Sequence, residues 1–195
     1  MVFEHFKGFA DPYFAITIPF DVTIAYKSAK TNNYSFFGRY LHDCMKALNT
    51  IENLKIRILD ESIVAYNVIH TSVTLMRPDK TFGFSFVKFD ENLDVFISNI
   101  GIEQERINNS VELYPPEEYR LDCIHCSALP WLNFSGHKEP VSGQKDSVPK
   151  LAFSKAIEIE GKLIMNVAIN ANHALADGYH VSLFSEKFQE YLNHK

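Results

Sequence analysis

The strongest constraint on the fold is a transition from strand to helix near the C-terminus. Residues Asn172 to Gly178 have the sequence NHALADG, with an apolar stretch before them and an amphipathic stretch after them. This pattern predicts a strand, a tight turn and a helix. It places His173 at the end of the strand, Asp177 four residues later and Gly178 at the turn into the helix.

The same run carries groups that suit acid–base chemistry. A neutral imidazole, with an ordinary pKa near ~6.5, can take a proton from a hydroxyl at working pH. An aspartate four residues away can hold the loop in shape. A lone histidine is more often a packed structural residue, so the run by itself leaves a catalytic and a structural role for His173 both open.

Periodicity along the rest of the chain predicts many strands and few helices. The length of 195 residues fits a single domain over residues 1–195. Helical spacing of apolar residues is found at 34–48, 93–107 and 181–191. Strand patterns are found at 14–20, 54–58, 62–66, 73–76, 82–89, 123–134, 151–159 and 163–169. The sequence therefore predicts the α+β class with a large mixed sheet.

Composition excludes several classes of function. The net charge of −5 argues against a protein that binds nucleic acid by neutralising phosphates. No apolar stretch reaches the ~20 residues that a bilayer-spanning helix needs, so no membrane partner is expected. The N-terminus lacks a basic region followed by an apolar one, so no signal peptide is expected. Three cysteines cannot all pair with each other, which favours a reduced, cytoplasmic protein.

One pair of cysteines, Cys123 and Cys126, has the Cys-x-x-Cys spacing of some redox and metal sites. A structural zinc usually takes four ligands, and the chain has no second pair of this kind. In a strand, a spacing of three places the two thiols on opposite faces. Neither metal binding nor redox chemistry is therefore expected from this pair.

The segment from His173 to Val181 resembles the His-x-x-x-Asp-Gly signature of the chloramphenicol acetyltransferases. Four other stretches resemble the family in order and spacing: Glu4–Phe6, residues 54–61, Ser127–Phe134 with its Pro-Trp pair, and residues 149–163. The resemblance covers nearly the whole chain. The dihydrolipoyl acyltransferase cores have a similar C-terminal pattern, so that motif alone does not separate the two groups.

This resemblance implies a fold, an assembly and a reaction. The implied fold is a two-layer mixed β-sheet sandwich with helices, assembled as a homotrimer whose active sites lie between subunits. Acetyl-CoA would be the co-substrate, a small-molecule hydroxyl would be the acceptor, and no metal would take part. His173 would be the general base for direct transfer without an acyl-enzyme, and Asp177 would orient the loop.

The resemblance also implies further site residues. The family's serine that donates to the tetrahedral oxyanion matches Gly136 without gaps, and Ser135 lies one residue earlier, so which of the two positions applies stays open. Phe9, Phe14 and Trp131 would contact the acceptor. Lys155, with Lys150 as a second candidate, would lie near CoA and its phosphates.

Several positions depart from the family pattern. Asn172 replaces the first of two histidines, and its amide can still bond locally. Val2 stands where an arginine would pair with Asp177, so the partner of that carboxylate is open. Gly8 and Phe9 replace aromatic groups of the chloramphenicol pocket, with loss of a tyrosine hydroxyl at Phe9.

These departures leave two functions open. The first is an active acetyltransferase whose acceptor need not be chloramphenicol, and this is the function we expect. The alternative is a catalytically degenerate trimer of the same fold that binds an acyl group or a partner protein. Lys155 and Ser135 favour activity, whereas Val2, Gly136 and the small Ala156 after Lys155 count against it.

Overall fold

The computed structural model describes residues 2–116, 120–140 and 146–194 as an α+β fold built on a mixed sheet. The helices are α1 (Val2–Phe6), α2 (Thr23–Thr31), α3 (Phe36–Asn49), α4 (Glu52–Lys55), α5 (Leu93–Asn108) and α6 (Gly178–Leu192). The strands are β1 (Tyr13–Asp21), β2 (Ile56–Leu59), β3 (Ser62–Ala65), β4 (His70–Met76), β5 (Phe82–Phe84), β6 (Cys123–Leu129), β7 (Lys150–Ser154), β8 (Ile157–Ile159) and β9 (Lys162–Asn172).

Seven strands form one sheet in the order β1-β9-β7-β6-β4-β5, with β8 paired to β9. The pairs β4–β6 and β6–β7 are parallel, and the remaining pairs are antiparallel. The long strand β9 pairs along its length with β1, from Tyr13 opposite Asn172 to Asp21 opposite Ile164. A separate two-stranded hairpin contains β2 and β3.

Helices cover one face of this sheet and enclose the hydrophobic core. Helices α3 and α6 pack against each other, and α6 also contacts β1. The core includes fully buried side chains from both layers, among them Leu41, Met45, Ile169, Phe184 and Phe188. Burial of this apolar area is the main stabilising term for such a domain.

The opposite face of the sheet is covered in part by the chain after β6. Side chains alternate along a strand, so Asn166, Asn170 and Asn172 share one face of β9, and Ile169 and Ala171 face the core. Asn166 Nδ2 donates to the carbonyl of Phe134 at 2.8 Å, which attaches that chain segment to this face. Both faces near the C-terminal end of β9 are therefore buried, and this end presents the predicted turn.

The predicted architecture is confirmed, and so are most of its elements. The sequence predicts hairpins that turn through Asp60-Glu61 and around Glu160-Gly161, and all four of these residues have positive φ. Positive φ at two consecutive turn residues suits a two-residue hairpin. The three long predicted helices correspond to α3, α5 and α6.

Some boundaries differ from the prediction. The strand predicted for 123–134 ends at Leu129, because Pro130 lacks the N–H that a ladder needs. The strand predicted for 82–89 ends at Phe84, and the one predicted for 151–159 is interrupted after Ser154. Helices α1 and α2 were not predicted. The sequence also predicts a loop at 108–119, which is polar and contains a Pro-Pro pair, and one at 135–146, which is rich in Gly, Pro and charge. Both lie partly outside the described residues.

Within the described ranges, no helix combines the length and the apolar character that crossing a bilayer requires.

Candidate active site

His173 lies just past the end of β9, between two aromatic rings. Its imidazole stacks on Phe6 with ring centroids 4.2 Å apart and an interplanar angle of 2°, and it contacts Phe14 at 4.8 Å. Its backbone N–H donates to the carbonyl of Pro12 at 2.9 Å. Its Nδ1 is buried without a hydrogen-bond partner in the described part of the chain. Nε2 is therefore the ring nitrogen that a substrate hydroxyl can approach.

Asn172 organises the turn that carries this histidine. Its Oδ1 accepts from the backbone N–H of Ala174 at 2.9 Å, and its carbonyl accepts from Leu175 and Ala176. Its Nδ2 donates to the carbonyl of Asp146 at 3.0 Å. The local bonding expected of the Asn172 amide is thus confirmed, and the turn is fixed on both sides of His173.

Asp177 makes no direct contact with the His173 ring and instead begins helix α6. As the N-cap, its Oδ1 accepts from the backbone N–H groups of Tyr179 at 3.0 Å and His180 at 3.3 Å. His180 Nδ1 lies 2.7 Å from the same carboxylate. His180 is thus the partner of Asp177 in this chain, where Val2 stands in place of the family's arginine. Burial opposes ionisation, but the N–H of His180 and its ring outweigh this effect, so the pKa of Asp177 lies below its ordinary value.

The His180 nitrogen also lies 3.2 Å from the backbone N–H of Asp177. If His180 Nδ1 carries a proton, it can donate to the carboxylate but cannot accept from the N–H. If it carries none, only the bond from the N–H can form. The shorter contact to Oδ1 is the charge-assisted one, so we assign the proton to His180 Nδ1.

Ser135, Gly136 and Trp131 lie in the segment after β6, and all three are exposed. The carbonyl of Leu132 accepts from Lys155 N–H at 2.7 Å, which attaches the segment to the end of β7. No hydrogen bond connects Ser135 to His173 among the residues described. The segment lies on the Asn166 face of β9, whereas the His173 ring packs on Phe14 at the core face, so one chain does not bring the predicted base and serine together.

The predicted acceptor-binding aromatic residues fall into two places. Phe14 is half-buried against His173, and Phe9 is 48% exposed with its ring 5.1 Å from that of Phe6. Gly8 precedes Phe9 in open space, because a Cβ placed there would meet no atom within 4 Å. Phe14 therefore contacts the imidazole directly, Phe9 contacts Phe6 beside it, and Trp131 lies in the segment after β6.

The two lysines predicted near CoA differ in their surroundings. Lys155 is exposed just past the end of β7. Lys150 begins that strand and is nine-tenths buried, with its Nζ 2.9 Å from Asp146 Oδ2 and 3.2 Å from the carbonyl of Pro140. Five residues of strand separate the two by roughly 17 Å. Lys155 is free to approach a phosphate, whereas Lys150 already has an anionic partner.

The Cys123 and Cys126 thiols are both buried on β6, on opposite faces as predicted. Burial raises the pKa of each thiol to about 12, so both stay protonated at neutral pH. Among the described residues, no group of three His, Cys, Asp or Glu side chains is arranged to hold a metal ion.

Two residues near the histidine were not among the predicted site residues. Phe6 supplies the stacking surface, and its only signal in the sequence was its place in the Glu4–Phe6 stretch. Asn172 was noted as a departure, but its control of the turn depends on contacts with Asp146, 26 residues away, that no local pattern reveals.

Comparison with known proteins shows which family the chain resembles over its length. A family model described as chloramphenicol acetyltransferase matches residues 1–189. Chloramphenicol acetyltransferase 3 of Escherichia coli is 25% identical over 197 residues, which cover 98% of this chain and 92% of that protein. A chloramphenicol acetyltransferase of Bacillus pumilus is 24% identical and covers 98% of this chain and 88% of its own length.

Solved structures give the same result for the fold. A chloramphenicol acetyltransferase superposes with a TM-score of 0.85 at 28% identity, with coverage of 97% of this chain and 92% of that one. A dihydrolipoamide acetyltransferase of Azotobacter vinelandii superposes with a TM-score of 0.74 at 12% identity. The superposition covers 97% of this chain and 84% of that one. The second likeness concerns the fold alone.

Proposed function

The chain belongs to the chloramphenicol acetyltransferase family, and from this premise we propose that it transfers the acetyl group of acetyl-CoA to a hydroxyl acceptor with His173 as the general base. The observation that carries the proposal is the position of the imidazole at the end of β9. The ring is held between Phe6 and Phe14, with Nδ1 turned into the protein and Nε2 left for a substrate.

The proposed reaction is a direct transfer. The acceptor hydroxyl gives its proton to His173 Nε2 while its oxygen bonds to the thioester carbonyl carbon. The tetrahedral intermediate then collapses, the carbon–sulfur bond breaks, and the CoA thiolate takes the proton from the imidazolium. A general base of this kind contributes about 10²–10⁴-fold to the rate.

The other residues have supporting roles in this proposal. Ser135 donates to the developing oxyanion, an effect worth roughly 3 kcal/mol for one donor. Gly136 is the alternative position, and the open space around it would admit a serine side chain. Lys155 approaches the CoA phosphates, with Lys150 as the weaker candidate because Asp146 already neutralises it. Asp177 orients the loop through its cap on α6.

We also propose that the active site forms between copies of the chain in a homotrimer. The support is geometric, because His173 and the Ser135 segment lie on opposite faces of β9. A histidine from one copy would then face the acceptor side of its neighbour. The proposed reaction has no metal-dependent step, and its acceptor is a hydroxyl compound other than chloramphenicol. We also propose a cytoplasmic location. Antibiotic resistance would follow only if chloramphenicol is acetylated efficiently.

The experiment that tests the proposal measures two properties of the wild-type protein. Acetyl-CoA binding is followed by calorimetry, and free thiol release is followed with a panel of primary and secondary alcohols. Binding together with acceptor-dependent thiol release supports the transferase. Binding without release from any alcohol would favour the alternative, a degenerate acyl-binding protein of the same fold.

A further inference from the structure

A small cavity with several polar side chains in its lining lies on the face of the sheet opposite the helices. Its volume is about 200 Å³, roughly the space of seven water molecules in the liquid. It is lined by Tyr13 and Ala15 of β1, Asn170 of β9, Lys150 of β7, and Lys138 and Glu139 of the segment after β6. In the sheet register, Asn170 lies between Ala15 and Lys150, so these three side chains form one row across the floor.

Asn170 has an unused donor at this floor. The residue is only 3% exposed, and its Nδ2 has no hydrogen-bond partner in the described part of the chain. Buried amide groups in native proteins nearly always have a partner, because leaving one unpaired costs free energy. An acceptor atom on a ligand in the cavity would satisfy this group.

The charges around the cavity decide which ligand suits it. Lys150 pairs with Asp146 at 2.9 Å, and Lys138 pairs with Asp11 at 2.7 Å. Glu139 has His137 Nδ1 at 3.8 Å, which is too far for a hydrogen bond.

Charges of both signs line the cavity, and the partners of the two ammonium groups, Asp11 and Asp146, do not line it. An anionic ligand would therefore meet the Glu139 carboxylate. A cationic ligand would meet the two ammonium groups. A neutral ligand avoids both penalties.

We propose that this cavity binds a small neutral polyol and that one of its hydroxyl groups is the acetyl acceptor. A hydroxyl group both accepts and donates. One hydroxyl oxygen accepts from Asn170 Nδ2, another hydroxyl donates to Glu139, and the Tyr13 ring packs on the carbon chain. The inference rests on the proposed function, since the cavity and His173 of the same chain lie on opposite faces of β9 and the base must come from a neighbouring copy.

The test uses four three-carbon acceptors in the thiol-release assay with acetyl-CoA: glycerol, 1-propanol, glycerate as the anion and serinol as the cation. We expect kcat/KM for glycerol to exceed that for each of the other three by about tenfold, the size of one or two added hydrogen bonds. A preference for 1-propanol, glycerate or serinol would overturn the proposal.

Two variants assign the preference to this cavity. Asn170→Leu removes the donor at similar volume and is expected to bring the ratio of glycerol to 1-propanol close to one. Asn108→Leu, the same change on the exposed side of α5, is expected to keep the wild-type ratio. A wild-type ratio in a folded Asn170→Leu protein would contradict the inference.

A binding measurement separates this inference from the proposed function. Saturation-transfer NMR of glycerol is expected to show contact with wild-type protein and with His173→Ala, and no contact with Asn170→Leu. If no acceptor releases thiol but this pattern of contact is found, the transferase proposal fails and the binding site stands. If thiol is released but Asn170→Leu keeps the glycerol contact, the inference about the cavity fails alone.

Discussion

The imidazole of His173 is positioned by packing rather than by a hydrogen bond on Nδ1. Phe6 stacks on one face at 4.2 Å, Phe14 lies at 4.8 Å, and the backbone N–H is held by Pro12. For Nε2 to act as the base, the neutral imidazole must carry its single proton on Nδ1. The single chain leaves Nδ1 without an acceptor within the described ranges, so orientation of the ring depends on its aromatic neighbours and on the turn that Asn172 fixes.

In the proposed site Asp177 acts through its N-cap on α6, and we expect its substitution to separate stability from catalysis. Asp177→Ala removes the N-cap of α6 and is expected to lower the free energy of unfolding by about 1 kcal/mol. Asp177→Asn keeps an acceptor oxygen and is expected to cost less. Denaturant unfolding measures both changes. The rate loss in thiol release is expected to stay below that of His173→Ala, and a larger loss for Asp177 would contradict the assigned roles.

The pH dependence of this stabilisation has a defined sign. The pKa of Asp177 is lower in the folded state, so the carboxylate stabilises the fold above its unfolded pKa, near ~3.9, and this contribution is lost as pH falls through the lower folded value. The group is half exposed, which keeps the contribution small. The unfolding free energies of wild type and Asp177→Ala are therefore expected to converge in acid.

At the scale of elements, we expect the N-terminal segment before β1 to determine how well chloramphenicol fits. Phe9 lacks the hydroxyl of the family's tyrosine, and Gly8 lacks an aromatic side chain. A site that loses a hydrogen-bond donor usually loses the matching substrate. We expect a kcat/KM for chloramphenicol far below the diffusional ceiling of ~10⁸ M⁻¹s⁻¹ and below that of the best alcohol in the panel.

A double variant tests this interpretation directly. Gly8→Phe has room, since a Cβ at Gly8 meets no atom within 4 Å, and Phe9→Tyr restores the hydroxyl. Together they are expected to raise kcat/KM for chloramphenicol. A wild-type value near the ceiling would show instead that these departures do not matter.

Local periodicity was enough to predict the elements that carry the site. The strand ending at Asn172, the turn through His173 and helix α6 all follow the pattern of apolar residues, and the hairpin turns occur at Asp60 and Gly161. What local patterns could not supply were contacts between distant segments. The stacking of Phe6 on His173 joins residues 167 positions apart, and it became visible only in the folded chain.

Arg57 makes contacts that the strand pattern at 54–58 does not predict. It alternates with Ile56 and Ile58, and it is fully buried. Its guanidinium donates to the carbonyls of four residues, namely Leu54, Ile56, Leu121 and Cys123. A buried charge is tolerated when most of its donors are used in this way, and no count of apolar residues predicts that arrangement.

At the scale of the whole molecule, one chain holds the parts of the proposed site on opposite faces of β9. Trp131 and Leu132 next to the Ser135 segment are 62% and 58% exposed, which suits a surface that a neighbouring copy covers. We expect light scattering at micromolar concentration to give three times the mass of the chain. A stable monomer would remove both the trimer and the shared site.

The account depends most on His173 as the base for acetyl transfer, and a pair of histidine variants tests it. The measurement is kcat/KM for acetyl-CoA-dependent thiol release with the best alcohol acceptor. His173→Ala is expected to lower it by about 10²–10⁴-fold while circular dichroism and assembly stay unchanged. His194→Ala, the same change at an exposed histidine near the C-terminus, is expected to keep the wild-type value. Full activity in a folded His173→Ala protein would make His173 a packed structural residue and contradict the account.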